Sequence, residues 1–433
     1  MKSLLFALAV LSSTFTLAQT KIAWSPSAAQ IDAVYPEVEN LYLDLHRNPE
    51  LSLHEVQTAA KLAERAKALG YEVATGVGGT GIVALMENGA GPTVLFRTDM
   101  DALPVEEKTG LPYASKVVSK NEAGVAVPVM QACGHDIHMS SWFGTAELMA
   151  ANKDRWKGTL ILIGQPAEEL VMGAAAMIKD GLFTRFPKPD FALAVHDDPL
   201  PAGQIGFTSG YTMASNDIAE ITIFGRGGHG AQPQNAIDPI VIAARTVIAL
   251  QTIVARETNP LDPAVITVGS FHAGTRSNII PDNANLEITV RAYKPEVRKH
   301  LLEAIARIAN AEAQAAGAPR QPEIKITPGT NATYNNPELT ARIVKVLRGA
   351  LGESNVVEIP AKMVSEDFSE FNLAGIPSMM FYAGAMDPAK AEAAQQSGTI
   401  LPGLHSSLWA PNYQPTLKTA IKAETTALVN LLQ

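Results

Sequence analysis

The chain has 433 residues, 47% of them hydrophobic and 18% charged, an ordinary globular composition whose length favours two domains over one. Its formal net charge of −9 argues against a nucleic-acid partner. One cysteine, Cys133, excludes an internal disulfide.

At the amino terminus Lys2 precedes an apolar run from Leu4 to Leu17 that ends in "TLAQT". This pattern reads as a secretory signal peptide, residues 1–18, cleaved after Ala18. The run is too short for a spanning helix, and no later stretch reads as long enough, so an exported protein with no membrane partner is expected. Export would leave Cys133 as a free thiol in an oxidising compartment, a liability unless something protects it.

From Ala28 to Gly70 the pattern is helical, with Gly70 as the stop signal. Short apolar runs at 81–86 and 93–97 read as strands. They are followed by a helix near 137–151, a strand at 159–164, a helix near 172–180 and a strand at 191–195. This alternation predicts an α/β sheet with helices on both faces. From about Ser215 the order becomes strand 217–224, helix 238–257, strand 264–271, strand 285–293, helix 295–316 and strand 322–327. That β-α-β-β-α-β order is ferredoxin-like. A helix from 337 to 351, a strand at 376–384 and a last helix opened by Pro415 resume the first pattern, so the α+β module reads as an insertion.

Residues with metal-binding chemistry fall at the ends of the predicted strands and at one helix start, where open α/β sheets build their sites. Asp99 follows one strand. Cys133, His135 and Asp136, in "QACGHDIHMSSW", precede a helix. Glu168 and Glu169, in "GQPAEE", follow another strand, and His196 follows a third. A thiolate, imidazoles and carboxylates together suit a divalent transition metal, and ligation would answer the question of what protects the thiol. Two other readings of Cys133 stand beside this one, a small buried hydrophobe or a nucleophile with His135 as its base. His46, His54 and His300 lie in mixed surface patterns and read as structural, while His272 has no assignment.

The series "FRTDMDALP", "ACGHDIHM", "GQPAEE", "VHDDP", "GRGGHGAQP", "RSNIIPD" and "SEDFS" resembles, in order and over nearly the whole chain after the leader, the metal-dependent amidohydrolases that include hippurate hydrolase, bacterial N-acyl-amino-acid aminohydrolases and plant auxin-conjugate hydrolases. The resemblance implies a catalytic α/β/α domain (19–210 and 328–433) and an inserted ferredoxin-like α+β lid that dimerises (211–327). It also implies two divalent metal ions per chain, Zn2+ or Mn2+, held by Cys133, His135, Glu169, His196 and His405, the last in "GLHSS". Glu168 matches the family's general base and Asp99 a carboxylate that orients a ligand. His138 stays outside the ligand set. In the lid, His229 resembles the supplier of an oxyanion donor and Asn278 a residue that binds the substrate carboxylate. The implied activity is hydrolysis of the amide bond of N-acyl amino acids, with a dipeptidase or aminopeptidase on the same scaffold, or a ligand-binding protein without turnover, as alternatives.

Two positions depart from the pattern. Asp197 and Asp198 stand where apolar or aromatic residues are frequent and would favour a substrate amine or tune a ligand. Val364 stands where a small residue is common, so packing under its loop is expected to differ.

Overall fold

The computed structural model describes residues 24–433; the signal peptide expected at 1–18 lies outside them. The main sheet has eight strands in the order Glu72–Val77, Gly81–Asn88, Gly158–Gln165, Thr93–Asp99, Phe191–Pro201, Ser378–Met386, Ile205–Phe207, Val356–Glu358. Its centre is parallel: Thr93–Asp99 lies between Gly158–Gln165 and Phe191–Pro201, and Ser378–Met386 extends the run. Antiparallel neighbours flank this centre on both sides.

Alternate side chains of the central strands leave on opposite faces, and both faces are covered, which is why these strands read as unbroken apolar runs. Phe96, Leu162, Leu193 and Phe381 pack in one cluster with Val38, Trp142 and Ile421 of the helices Ala28–Arg47, His135–Ala151 and Tyr413–Leu431. Leu95, Ile161, Ala194 and Met380 pack on the other side with Met177, Leu182 and Phe371.

The helical pattern expected over 28–70 is observed as two helices, Ala28–Arg47 and Val56–Ala68, the first opened by a capping box between Ser27 and Gln30. The strand Glu72–Val77 and the helix Pro388–Ser397 carry too little apolar periodicity to be read in advance. The strand expected at 191–195 runs on to Pro201, so His196, Asp197 and Asp198 lie within it.

Residues 217–328 form a separate antiparallel sheet, ordered Ala264–Ala273, Asn283–Ala292, Asp217–Phe224, Glu323–Pro328, with the helices Pro239–Thr252 and Pro295–Ala315 packed on one face. The expected β-α-β-β-α-β order is observed. The segments leading into and out of this module, Gly210–Met213 and Thr333–Asn335, pair with each other. One expectation fails here: Pro239–Glu257 is long and apolar enough to cross a membrane by length and composition. Its Ile242, Ala243, Leu250 and Ile253 pack into the core of the inserted module, and 33% of the apolar window is buried in this way.

Between the helices His135–Ala151 and Tyr413–Leu431 lies the buried carboxyl of Glu424, which accepts hydrogen bonds from Ser141 Oγ and Thr145 Oγ1, both at 2.6 Å. Burial pushes it up from 4.5 to about 7, against the pull of those two hydroxyls. The folded state therefore holds a proton that the unfolded state has released, so stability falls as pH rises from 4.5 through 7, by up to about 3 kcal/mol. Glu424→Gln is uncharged throughout. Its melting temperature should exceed that of the parent at pH 8 and match it within a degree or two at pH 5, as read by calorimetry; equal gaps at both pH values would contradict the account.

Candidate metal centre

The site assembles at the carboxyl end of the parallel strands, and each part is held by a backbone feature with a visible cause. Gly134, between Cys133 and His135, has φ +75 and opens the helix His135–Ala151; a Cβ there would collide with the Asp197 carboxylate. The loop after Gly158–Gln165 carries two non-glycine residues in the left-handed region, Ala167 (φ 48) and Val171 (φ 50), and His405 is a third (φ 64). Such conformations cost about 1–3 kcal/mol each and persist only where neighbours enforce them.

The enforcing contacts are specific. The Asp101 carboxylate accepts from the backbone N–H groups of Glu168 (3.1 Å) and Glu169 (2.9 Å) and from Ser52 Oγ (2.6 Å). Buried Glu55 accepts from the Ala167 N–H at 2.8 Å. The His405 N–H donates to the Ala132 carbonyl at 2.7 Å, which ties the His405 loop to the Cys133 turn.

These restraints bring all five proposed ligands together. His135 Nδ1 donates to the Asp101 carbonyl (2.8 Å) and His196 Nδ1 to the Asp197 carbonyl (2.7 Å), so both rings present Nε2 inward. Cys133 Sγ stands 3.6 Å from His196 Nε2 and 3.2 Å from His405 Nε2; Glu169 Oε1 is 3.4 Å from His405 Nε2 and 3.9 Å from His135 Nε2. Two ligands on one tetrahedral ion, at 2.0–2.3 Å from it, stand about 3.3–3.8 Å apart, so these spacings suit shared cations. His135 Nε2 and Glu169 Oε1 are buried and have no hydrogen-bond partner among the described residues. The groups Cys133–His135–His196 and Cys133–Glu169–His405 each converge within 4.8 Å. His135, Cys133 and Glu169 are buried or nearly so, whereas the His405 side chain is 56% exposed.

His138 is close to this set, yet both of its ring nitrogens are engaged. Nδ1 faces Asp99 Oδ1 at 2.7 Å, and Nε2 accepts from the Asp197 N–H at 2.7 Å, which leaves no lone pair for a metal. Asp99 sits 3.7 Å from His135 Nε2. Burial opposes its ionisation, but the His135 and His138 rings and the Arg97 guanidinium outweigh it and hold its carboxyl well below the usual range.

Arg97 is fully buried beneath the site, donating to Asp99 Oδ2 (2.6 Å), Glu366 Oε1 (2.8 Å), Asp367 Oδ1 (3.3 Å) and Gln165 Oε1 (2.9 Å). Glu168 lies beside this network. Burial, then the charges of Glu366, Glu169 and Asp367, push its carboxyl well above the ordinary value, with Arg97 opposing. Burial, then the charges of Glu169, Glu168, Asp197 and Asp99, push the Cys133 thiol up as well. A thiolate at that position calls for a cation, because a bound metal inverts the local balance and deprotonates a coordinating thiol.

The donor set opens on a cavity of about 730 Å³ whose wall includes Glu168, His196, Asp198, Arg291, Lys362 and Glu366. Arg291 comes from the inserted module and Lys362 from the segment before "SEDFS"; neither was singled out from sequence. Asp197 turns away from the cavity, buried against His138 and His196, while Asp198 faces it and pairs with Lys362. Val364 is 53% exposed on the cavity wall, which corrects the expectation that it alters packing under its loop. His46 is also corrected: it is buried, not superficial, bridging Asp136 (2.6 Å) and Glu107 (3.2 Å) and so anchoring the start of the helix His135–Ala151.

Two predicted residues are absent from this gathering. His229 and Asn278 lie side by side on the inserted module, joined by the hydrogen bond from Gly230 N–H to Asn278 O, and both are exposed. Neither lines the cavity of its own chain.

Known proteins place this arrangement. The family model described as peptidase family M20/M25/M40 matches residues 95–397. The chain is 40% identical to the hippurate hydrolase of Campylobacter jejuni, over 77% of this chain and 85% of that one. It is 38% identical to thermostable carboxypeptidase 2 of Saccharolobus solfataricus, over 84% of this chain and 87% of that one. The crystal structure of Bacillus subtilis YXEP protein, described as a dinuclear metal binding peptidase from the M20 family, superposes with a TM-score of 0.74 at 29% identity, covering 93% of this chain and all of that one.

Serine keeps its proton at neutral pH and is a poor ligand, so Cys133→Ser should lower the metal content of protein purified without chelators, measured by elemental analysis. Full metal content with no turnover would instead make Cys133 a nucleophile.

Proposed function

The chain belongs to peptidase family M20/M25/M40 and is a metal-dependent amidohydrolase, and from that premise we propose that it is an exported dinuclear enzyme cleaving the amide bond of N-acyl amino acids. The observation that carries the substrate class is the charge of the cavity wall. Among the described residues Arg291 is engaged by no carboxylate; its Nη1 donates to the Met363 carbonyl (3.3 Å) and Ser365 Oγ (3.2 Å). It offers a seat for the carboxylate of an amino-acid product. The wall acids are committed elsewhere: Glu366 to Arg97, Glu169 to the donor set, Asp198 to Lys362 and Glu168 to the water it activates. No acid is left over for a substrate ammonium, which favours acyl over aminoacyl substrates.

When bound at this donor set, divalent metals supply Lewis acidity, lowering the pKa of water and polarising a carbonyl. Glu168, raised in pKa and facing the same cavity, takes the proton of the attacking water and returns it to the departing amine. Its backbone is fixed by Asp101, so the base and its neighbour Glu169 keep separate roles although adjacent in sequence. The thiolate favours zinc and the carboxylates accept manganese. Export rests on Lys2 and the apolar run behind it.

A homodimer through the inserted module is supported by the helix Pro239–Thr252 and its continuation to Glu257, which leave Ile240, Val241, Ile248 and Val254 on the surface, and by the unpaired outer edge of Ala264–Ala273. In that dimer His229, remote from its own cavity, serves the partner's site as an oxyanion donor.

Glu168→Gln should retain metal and lose about a hundred- to ten-thousandfold in kcat on N-acetyl- or N-benzoyl-amino acids; near-normal turnover, or a parent enzyme that cleaves dipeptides but no N-acyl amino acid, would refute this reading. Mixing Glu168→Gln with His229→Ala under subunit exchange should restore about a quarter of normal activity, since half the dimers then hold one intact site of two. No recovery after verified exchange would place His229 in its own chain's site or in none.

A further inference from the structure

We infer that Lys362 is a specificity-determining residue: by pairing with Asp198 it masks the one cavity carboxylate placed to receive a substrate α-amine, and so excludes aminoacyl substrates. The inference rests on the N-acyl reading above and deepens it.

Asp198 lies two residues beyond His196 on the same strand and opens on the same cavity as Cys133 and Glu168. It is 6% exposed, and Lys362 is its one ion-pair partner among the described residues. Lys362 is held in place from two further directions, one at its ammonium and one at its backbone. Its Nζ stands 4.1 Å from the centroid of the Tyr382 ring, and its backbone N–H donates to the Thr212 carbonyl at 2.9 Å. Tyr382 is fully buried, and its hydroxyl bonds to Thr212 Oγ1 at 2.7 Å, so the platform under Lys362 is rigid.

The α-amine of a dipeptide is one carbon from the scissile carbonyl. With that carbonyl beside Glu168, the amine lies in the same cavity whose wall carries Asp198. A bare Asp198 would receive it; Asp198 already matched by Lys362 presents a second ammonium to it instead. Discrimination then comes from a repulsive element as much as from an attractive one.

The test compares acetyl-leucine with glycyl-leucine, which differ by an ammonium in place of one hydrogen. Lys362→Met keeps the aliphatic stem over Tyr382 and removes the charge. The ratio of kcat/KM for glycyl-leucine to that for acetyl-leucine should rise about tenfold or more in Lys362→Met, and adding Asp198→Asn should abolish the gain. The same ratio, read as calorimetric affinities in a Glu168→Gln background, does not depend on turnover. It therefore separates a failure of this inference from a failure of the N-acyl reading, which is decided by the parent enzyme's activity on acetyl-leucine. An unchanged ratio in a variant with normal metal content and melting temperature would overturn the inference. An equal fall on both compounds with raised KM would also overturn it, and would assign Lys362 to the substrate carboxylate.

Discussion

Charge is the constraint on which the rest of the molecule depends. Asp99, Asp101, Glu168, Asp197, Asp198, Glu366 and Asp367 are all buried around one end of the sheet. Unpaired charges in such surroundings are too costly to persist, so each must meet a cation, a donor or a proton. Arg97 answers for Asp99, Glu366 and Asp367, Lys362 for Asp198, and backbone N–H groups for Asp101. Cys133, Glu169 and the inward-facing Nε2 atoms of His135 and His196 remain over, gathered at the spacing of ligands on a shared ion. Metal binding would complete a charge balance that the protein leaves open at one place, and the same imbalance raises the Glu168 carboxyl beside it, as the proposed base role requires.

The fold supplies what this balance needs in precision. The Arg97 guanidinium comes from the middle of a central parallel strand and crosses to Glu366, 269 residues later in the chain, so the site cannot form before the sheet does. Asp101, just past the end of that strand, holds three things at once: the amides of Glu168 and Glu169 through its carboxylate, and the His135 ring through its carbonyl. The strained Ala167 and His405 backbones sit where these grips are tightest. A shift in one part would move Glu168 and the gathered metal-binding side chains together, which is how a site of this kind keeps sub-ångström tolerances.

Much of this was legible in the sequence, for reasons that differ by residue. The alternation of apolar runs and helical periodicity gave the α/β sheet and the inserted β-α-β-β-α-β unit, because both rest on local patterns. Asp99, Cys133, His135, Glu169 and His196 were visible because their residue types are chemically distinctive and fall at strand ends or at a helix start; His405, and the orienting role of Asp99, needed the family resemblance. Arg97, Asp101, Arg291 and Lys362 were not singled out. Their roles depend on partners far along the chain, such as Glu366 for Arg97 or Asp198 for Lys362, and a charged residue shows no periodicity that betrays burial. The same blindness placed His46 on the surface: its helical pattern is mixed, and only the fold shows Asp136 and Glu107 closing on it.

The central claim, that an open charge balance around Cys133 is closed by two divalent ions, is tested most directly by diffraction at a metal absorption edge on crystals of protein purified without chelators. The account predicts two anomalous peaks per chain, both within bonding distance of Cys133 Sγ or Glu169, with His135, His196 and His405 completing their shells. A chain with no anomalous peak, or with peaks remote from Cys133 and Glu169, would contradict it.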